Sequence, residues 1–133
     1  MKRLIIAIIF IGLSIYIGIY SYKKTNKVCN NMISKIETLT KQNEEIIENS
    51  NHDKRVEFYE KTVYFHNSWE DNSKFFYFFF NNDDIKEIEL NIEKLPEHAK
   101  NGDSEETKQC LVECLEEIEY IKNSVKLDFD NIF

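Results

Sequence analysis

The sequence predicts an all-α protein: one N-terminal transmembrane helix that continues into a membrane-tethered antiparallel bundle of about four helices. Three observations predict it. Residues 4–20 form a single uncharged apolar stretch, LIIAIIFIGLSIYIGIY. Four later segments carry apolar residues at alternating steps of three and four, the repeat of one helix face. Only three Gly and one Pro occur in 133 residues, too few for a turn-rich all-β fold.

The apolar stretch comprises Leu4, Ile5, Ile6, Ala7, Ile8, Ile9, Phe10, Ile11, Gly12, Leu13, Ser14, Ile15, Tyr16, Ile17, Gly18, Ile19 and Tyr20. As a helix it covers about 26 Å, and with Ser21 and Tyr22 about 29 Å, the thickness of a hydrocarbon core. Lys2 and Arg3 precede it, and Lys23, Lys24 and Lys27 follow it. Tyr16, Tyr20 and Tyr22 cluster at one end, where an aromatic belt belongs. A cleaved signal peptide fits less well. The apolar core exceeds the usual length, and the exit Ile19-Tyr20-Ser21-Tyr22-Lys23 is too bulky for a cleavage site. Asn26-Lys27-Val28 before Cys29 likewise lacks the small residues of a lipoprotein signal. The expected organisation is a head over residues 1–3, a signal anchor over 4–21, a helical ectodomain over 22–125 and a tail over 126–133. Basic residues flank both ends of the span, and the very short head is what leads to the expectation of an N-terminus on the inner side of the cell membrane and the domain on the outer side.

Charge is uneven beyond the anchor. Residues 22–80 hold nine basic and nine acidic side chains, whereas residues 81–133 hold six and fifteen, so the net −9 lies in the second half. Such a surface is repelled by nucleic acid and by anionic lipid, and nucleic acid is excluded as a partner.

In the first helix beyond the anchor, over 22–49, Val28, Met32, Ile36, Leu39, Asn43 and Ile46 share a face, Asn43 being the polar exception. No Gly or Pro intervenes after Tyr20, so anchor and helix are expected to be continuous. Ser50-Asn51-His52-Asp53 breaks the chain. The second helix, 54–80, carries Phe58, Thr62, Phe65, Trp69, Asn72, Phe76 and Phe79, with a kink allowed at Asp71-Asn72-Ser73. Asp84 and Glu87 read as a capping box that opens the third helix, with Ile85, Ile88, Ile92, Leu95 and Ala99 on one face. Pro96 should kink or end that helix near Leu95, and Asn101-Gly102 is a stop signal. Asp103 and Glu106 form a second capping box before a helix bearing Thr107, Leu111, Cys114, Ile118, Ile121 and Val125. Short polar breaks between such helices favour an up-down-up-down bundle. A strand at residues 75–80 has nothing of its kind to pair with.

The lengths suggest where function sits. A helix climbing about 42 Å from the membrane and a return helix of about 40 Å bring the end of the second helix back to the lipid surface. That end is Phe75, Phe76, Tyr77, Phe78, Phe79 and Phe80, six aromatics that cover every side of a helix. Part of the run packs inward, and the surplus is expected to face the membrane interface or a membrane-embedded partner. Phe129, Ile132 and Phe133 in the tail return to the same end, either as a docking peptide or folded onto the bundle base. Asp128-x-Asp130-Asn131 lacks the Gly and distal Glu of a calcium loop. Cys29, Cys110 and Cys114 read as core thiols, with a Cys29–Cys114 disulfide as the alternative. His52, His66 and His98 have no zinc-ligand spacing, so no metal and no cofactor are expected. No nucleophile elbow or phosphate-cradling Gly loop is present, and no catalytic residue is assigned. Trp69 reads as a core anchor, and Ser14-x-x-x-Gly18 as a small-residue contact pattern within the membrane.

The short MKR head with one membrane helix, lone Trp69, the start Asn82-Asp83-Asp84-Ile85 through Glu87-Ile88-Glu89, and terminal Asn131-Ile132-Phe133 together resemble the domain of unknown function 4363 family. The likeness covers nearly the whole chain. It implies a membrane-anchored bacterial protein of clostridial type with no assigned activity. Neighbouring genes for multi-pass membrane proteins would suit an accessory subunit. The expected function is therefore a non-enzymatic accessory or docking subunit for a membrane partner. The alternative is an extracytoplasmic sensor that holds a small molecule between helices near Trp69 and Phe65.

Overall fold

The computed structural model describes residues 1–49 and 51–132. Four α-helices follow one another: α1 (Lys2–Glu48), α2 (His52–Phe79), α3 (Asn82–Asn101) and α4 (Ser104–Ile132). Each connection is only two or three residues long, which forces consecutive helices to run antiparallel. α1 packs on α2 and α4, and α3 packs on the same two, while the diagonal pairs do not meet. The result is the expected up-down-up-down bundle.

α1 is unbroken over 47 residues, about 70 Å at the helical rise. Its first third, through Gly18, lies outside the bundle, and its last two thirds form one wall of it. Thr25, Cys29, Met32, Ile36, Leu39, Asn43 and Ile46 are its buried residues. Asn43 is accommodated because its Nδ2 donates to the Ser104 carbonyl at 3.0 Å, which gives the buried side-chain amide a partner on α4. The facing core is Phe58, Phe65, Trp69 and Phe76 from α2, Ile85, Ile88, Ile92 and Leu95 from α3, and Cys110, Leu111, Cys114, Ile118 and Ile121 from α4. All three cysteines are buried free thiols. Burial pushes Cys29 up to about 12 and also raises Cys110 and Cys114.

Four local features differ from the sequence reading. α3 starts earlier than an Asp84 cap would place it. Asn81 is the cap, its Oδ1 accepting from the Asp83 amide at 2.9 Å, just as Asn51 Oδ1 accepts from Asp53 at 3.0 Å to open α2. Both starts read Asn-x-Asp, and the aspartate adds favourable charge in the first turn. α3 also passes through Pro96 and ends at Asn101. Ile85, Ile88, Ile92 and Leu95 are at most 1% exposed, and burying each contributes about 1.5–3 kcal/mol, enough to outweigh a cost of about 3 kcal/mol for an interior proline. Third, Asp103 precedes α4 as expected, but its carboxylate lies 3.9 Å from His98 Nδ1, and its carbonyl accepts the Thr107 amide and hydroxyl. Finally, α4 does not stop at Val125. The tail continues as helix to Ile132, because no Gly or Pro interrupts it and the Phe129 ring stacks on Tyr22 at 4.2 Å.

α2 is continuous through Asp71-Asn72-Ser73. Asn72 Nδ2 and Ser73 Oγ bond back to the carbonyls of Ser68 and Glu70, which keeps these weak helix formers inside the helix. At the far end Gly102 takes φ +76°, and the amides of Gly102 and Asp103 return to the carbonyls of Ala99 and His98. This is a Schellman turn, and its left-handed residue is the reason a glycine stands there.

Candidate functional site: the base of the bundle

The end from which residues 2–18 project is the base. The ends of α2 and α4 and the start of α3 converge there around α1. The Tyr20 ring meets Phe75 edge-on at 6.4 Å, and Tyr22 meets Phe129, so both descending helices reach the point where the apolar stretch ends.

Helical rotation divides the aromatic run. Phe76 faces the core at 1% exposure and stacks on Trp69 at 5.3 Å. Phe75, Tyr77, Phe79 and Phe80 are half-buried, with Phe75, Tyr77 and Phe80 resting on the core. Phe75 lies 4.9 Å from Phe79, and Phe80 lies 5.7 Å from Phe76. The Tyr77 hydroxyl donates to Glu89 Oε2 on α3, and that bond to a carboxylate raises it to about 12. Phe78 alone points outward, 80% exposed and touching Phe79 at 4.9 Å. The surplus is thus one fully presented ring above a shelf of half-covered ones. Phe133 and the side chain of Ile132 lie outside the described residues.

Beside this shelf α1 and α2 part to leave an open groove of about 610 Å³. Val28 and Met32 are among its apolar lining residues, and Lys23, Lys24, Lys27, Lys35, Ser68, Asp71 and Asn72 are among its polar ones. Lys24 Nζ sits 4.5 Å over the Phe75 ring. Lys35 Nζ donates to Ser68 Oγ at 2.8 Å and lies 4.7 Å over Tyr64. The sequence reading used the first three lysines only as a flank of the apolar stretch. The available signal was the spacing of Tyr20, Lys24, Lys27 and Asn31, which sets them on one face.

The seventeen apolar residues 4–20 are exposed except Ile19, which is half-buried. No residue of the most apolar window of α1 is buried by the bundle, and the helix is long and apolar enough to cross a membrane. A Cβ added at Gly12 or Gly18 would touch nothing, so the Ser14–Gly18 face is open. Ser14 Oγ bonds back to the Phe10 carbonyl at 2.9 Å.

Elsewhere Trp69 and Phe65 are buried at 2% and 1%. Among the described residues no three His, Cys, Asp or Glu side chains gather as metal ligands would. A second groove between α3 and α4 is lined by Glu87, Glu113, Glu116, Glu117, Asn91 and Lys94. Glu117 Oε1 accepts from Asn91 Nδ2 at 2.9 Å. Burial, opposed by that bond and reinforced by Glu87, Glu113 and Glu116, raises its carboxyl to about 7.

No curated protein and no solved structure matches the chain. A family profile does match, over residues 19–132, the stretch that packs as the bundle, and it leaves out the exposed apolar segment before Ile19. With that much of its length covered, the chain belongs to the family described as domain of unknown function (DUF4363).

Proposed function

We propose that this protein is a non-enzymatic, single-pass membrane-anchored bundle that docks a membrane partner through its base. One observation carries the reading: an apolar helical segment in which the bundle buries no residue runs unbroken into the bundle wall. In water that segment would expose Leu4, Ile5, Phe10 and their neighbours at half or more of their surface, at about 25 cal/mol for each Å². A hydrocarbon core removes that cost. The unbroken helix leaves no flexible tether, so the bundle stands directly on the lipid surface with its aromatic shelf turned toward it. Phe78 then lies where a multi-pass partner's interfacial residues would meet it.

The test has two readings. Alkaline carbonate should leave the full chain in the membrane pellet, and a chain released to the supernatant overturns the anchor. A photo-crosslinking residue at Phe78, activated in intact membranes, should capture one discrete membrane protein. The same residue at exposed Tyr120 on α4 serves as the control. Equal capture from both positions, or none from Phe78, overturns docking at the base.

A further inference from the structure

We propose that the groove between α1 and α2 binds the phosphate-bearing headgroup of an anionic phospholipid, in the leaflet where the apolar segment ends, with Lys24 and Lys27 as its principal contacts. The inference rests on that segment being a membrane span.

Position comes first. Lys23, Lys24 and Lys27 stand about 5–11 Å beyond Tyr20 along α1, and the headgroup layer extends roughly 5–8 Å beyond the hydrocarbon core. Lys23 and Lys24 fall inside that layer, and Lys27, about 10 Å out, stands just above it and within a lysine side chain's length of it. Chemistry comes second. Among the described residues no carboxylate lies within salt-bridge distance of Lys23, Lys24, Lys27 or Lys35, although Asp71 lines the same groove. In a chain of net −7, the groove sets four lysines against the single carboxylate of Asp71, a local excess of positive charge. Two of them are held in place without being neutralised, Lys24 over Phe75 and Lys35 by Ser68. Shape comes third. Tyr20 lines the membrane end of the groove along with the lysines, and about 610 Å³ admits a whole glycerophosphate group. The direction of charge agrees. Along α1 the lysines gather at the base and Glu44, Glu45 and Glu48 at the far end, so an anionic surface attracts the end that meets it.

The experiment uses the full chain in neutral non-ionic detergent micelles, where no membrane surface potential exists. Native mass spectrometry measures retention of phosphatidylglycerol and of phosphatidylcholine with matched acyl chains. Phosphatidylglycerol should be retained as a 1:1 adduct, about tenfold more tightly, and K24Q/K27Q should lower its retention by roughly 10- to 30-fold. K41Q/K54Q, which removes the same charge from the far end, should leave it unchanged. Equal retention of the two lipids overturns the proposal, and so does an equal loss in K41Q/K54Q. Retention of free glycerol 3-phosphate as tight as that of the lipid also overturns it, and gives the groove to a soluble phosphoester. The comparison of lipids on the unaltered chain decides the matter even where K24Q/K27Q fails to fold. Carbonate extraction keeps the two readings apart: a chain that stays in membranes yet shows no lipid preference loses the groove and keeps the anchor.

Discussion

Glu117 offers a quantitative test of the bundle's electrostatics. Its Oε2 is buried without a hydrogen-bond partner, while Oε1 accepts from Asn91. The carboxyl titrates near 7 in the folded chain against an ordinary 4.5, because burial and three neighbouring glutamates disfavour its charge. The folded state therefore holds this proton more tightly than the unfolded state does. The stability it supplies is complete below about pH 4.5 and is lost as pH rises through about 7. Full linkage over that interval is about 3 kcal/mol, and the open side of the groove screens it to about 1–2 kcal/mol. Glu117→Gln keeps the acceptor for Asn91 and removes the ionisation. Thermal unfolding of the full chain in detergent, followed by circular dichroism, should show the variant melting about 3–8 °C higher at pH 8 and level with wild type near pH 4.5. The wild-type minus variant difference should change steeply between those limits. Equal melting at both pH values would refute the assignment of a strained carboxylate to this groove.

Further outcomes follow from single contacts. Thr25 is fully buried with its hydroxyl unpartnered, so Thr25→Val should raise stability by about 1 kcal/mol, and a fall in melting temperature would contradict this. With Cys29 raised to about 12, its thiolate fraction at pH 8 is on the order of 10⁻⁴. Iodoacetamide should label none of the three buried cysteines in the folded chain and all three in denaturant, as counted by mass spectrometry. Gly102→Ala should cost about 1–2 kcal/mol, because an L side chain resists φ +76° and its Cβ would stand 3.2 Å from Arg55 Nη1. Denaturant melts would show the midpoint falling without a change in slope.

The helical stripes were legible because burial on a helix follows a fixed angular step. Met32, Ile36, Leu39, Phe65, Trp69, Ile88, Ile92 and Leu111 were all placed on the right face by spacing alone. The aromatic run was legible as an excess over what one core can take. Which ring stays outside was not, since Phe78 is singled out only by where α1 and α3 flank α2. Caps were read less well. Asp84 with Glu87 satisfied a capping pattern, but Asn81 lies closer to the end of α2, and a two-residue connection leaves room only for the earlier start. The lysine groove was invisible as a groove, because the gap between α1 and α2 belongs to neither helix by itself.

By itself, then, the sequence determined an uncharged span, four amphipathic helices and their alternating direction, each written in local spacing and short breaks. The tertiary structure decided the passage of α3 through Pro96, the extension of α4 to Ile132, the shift of Glu117 and the opening beside Lys24. The reason is that these depend on free energies of contact between helices. Packing from two sides overrides the propensity of one residue, and a charge acquires its surroundings only when another helix arrives beside it.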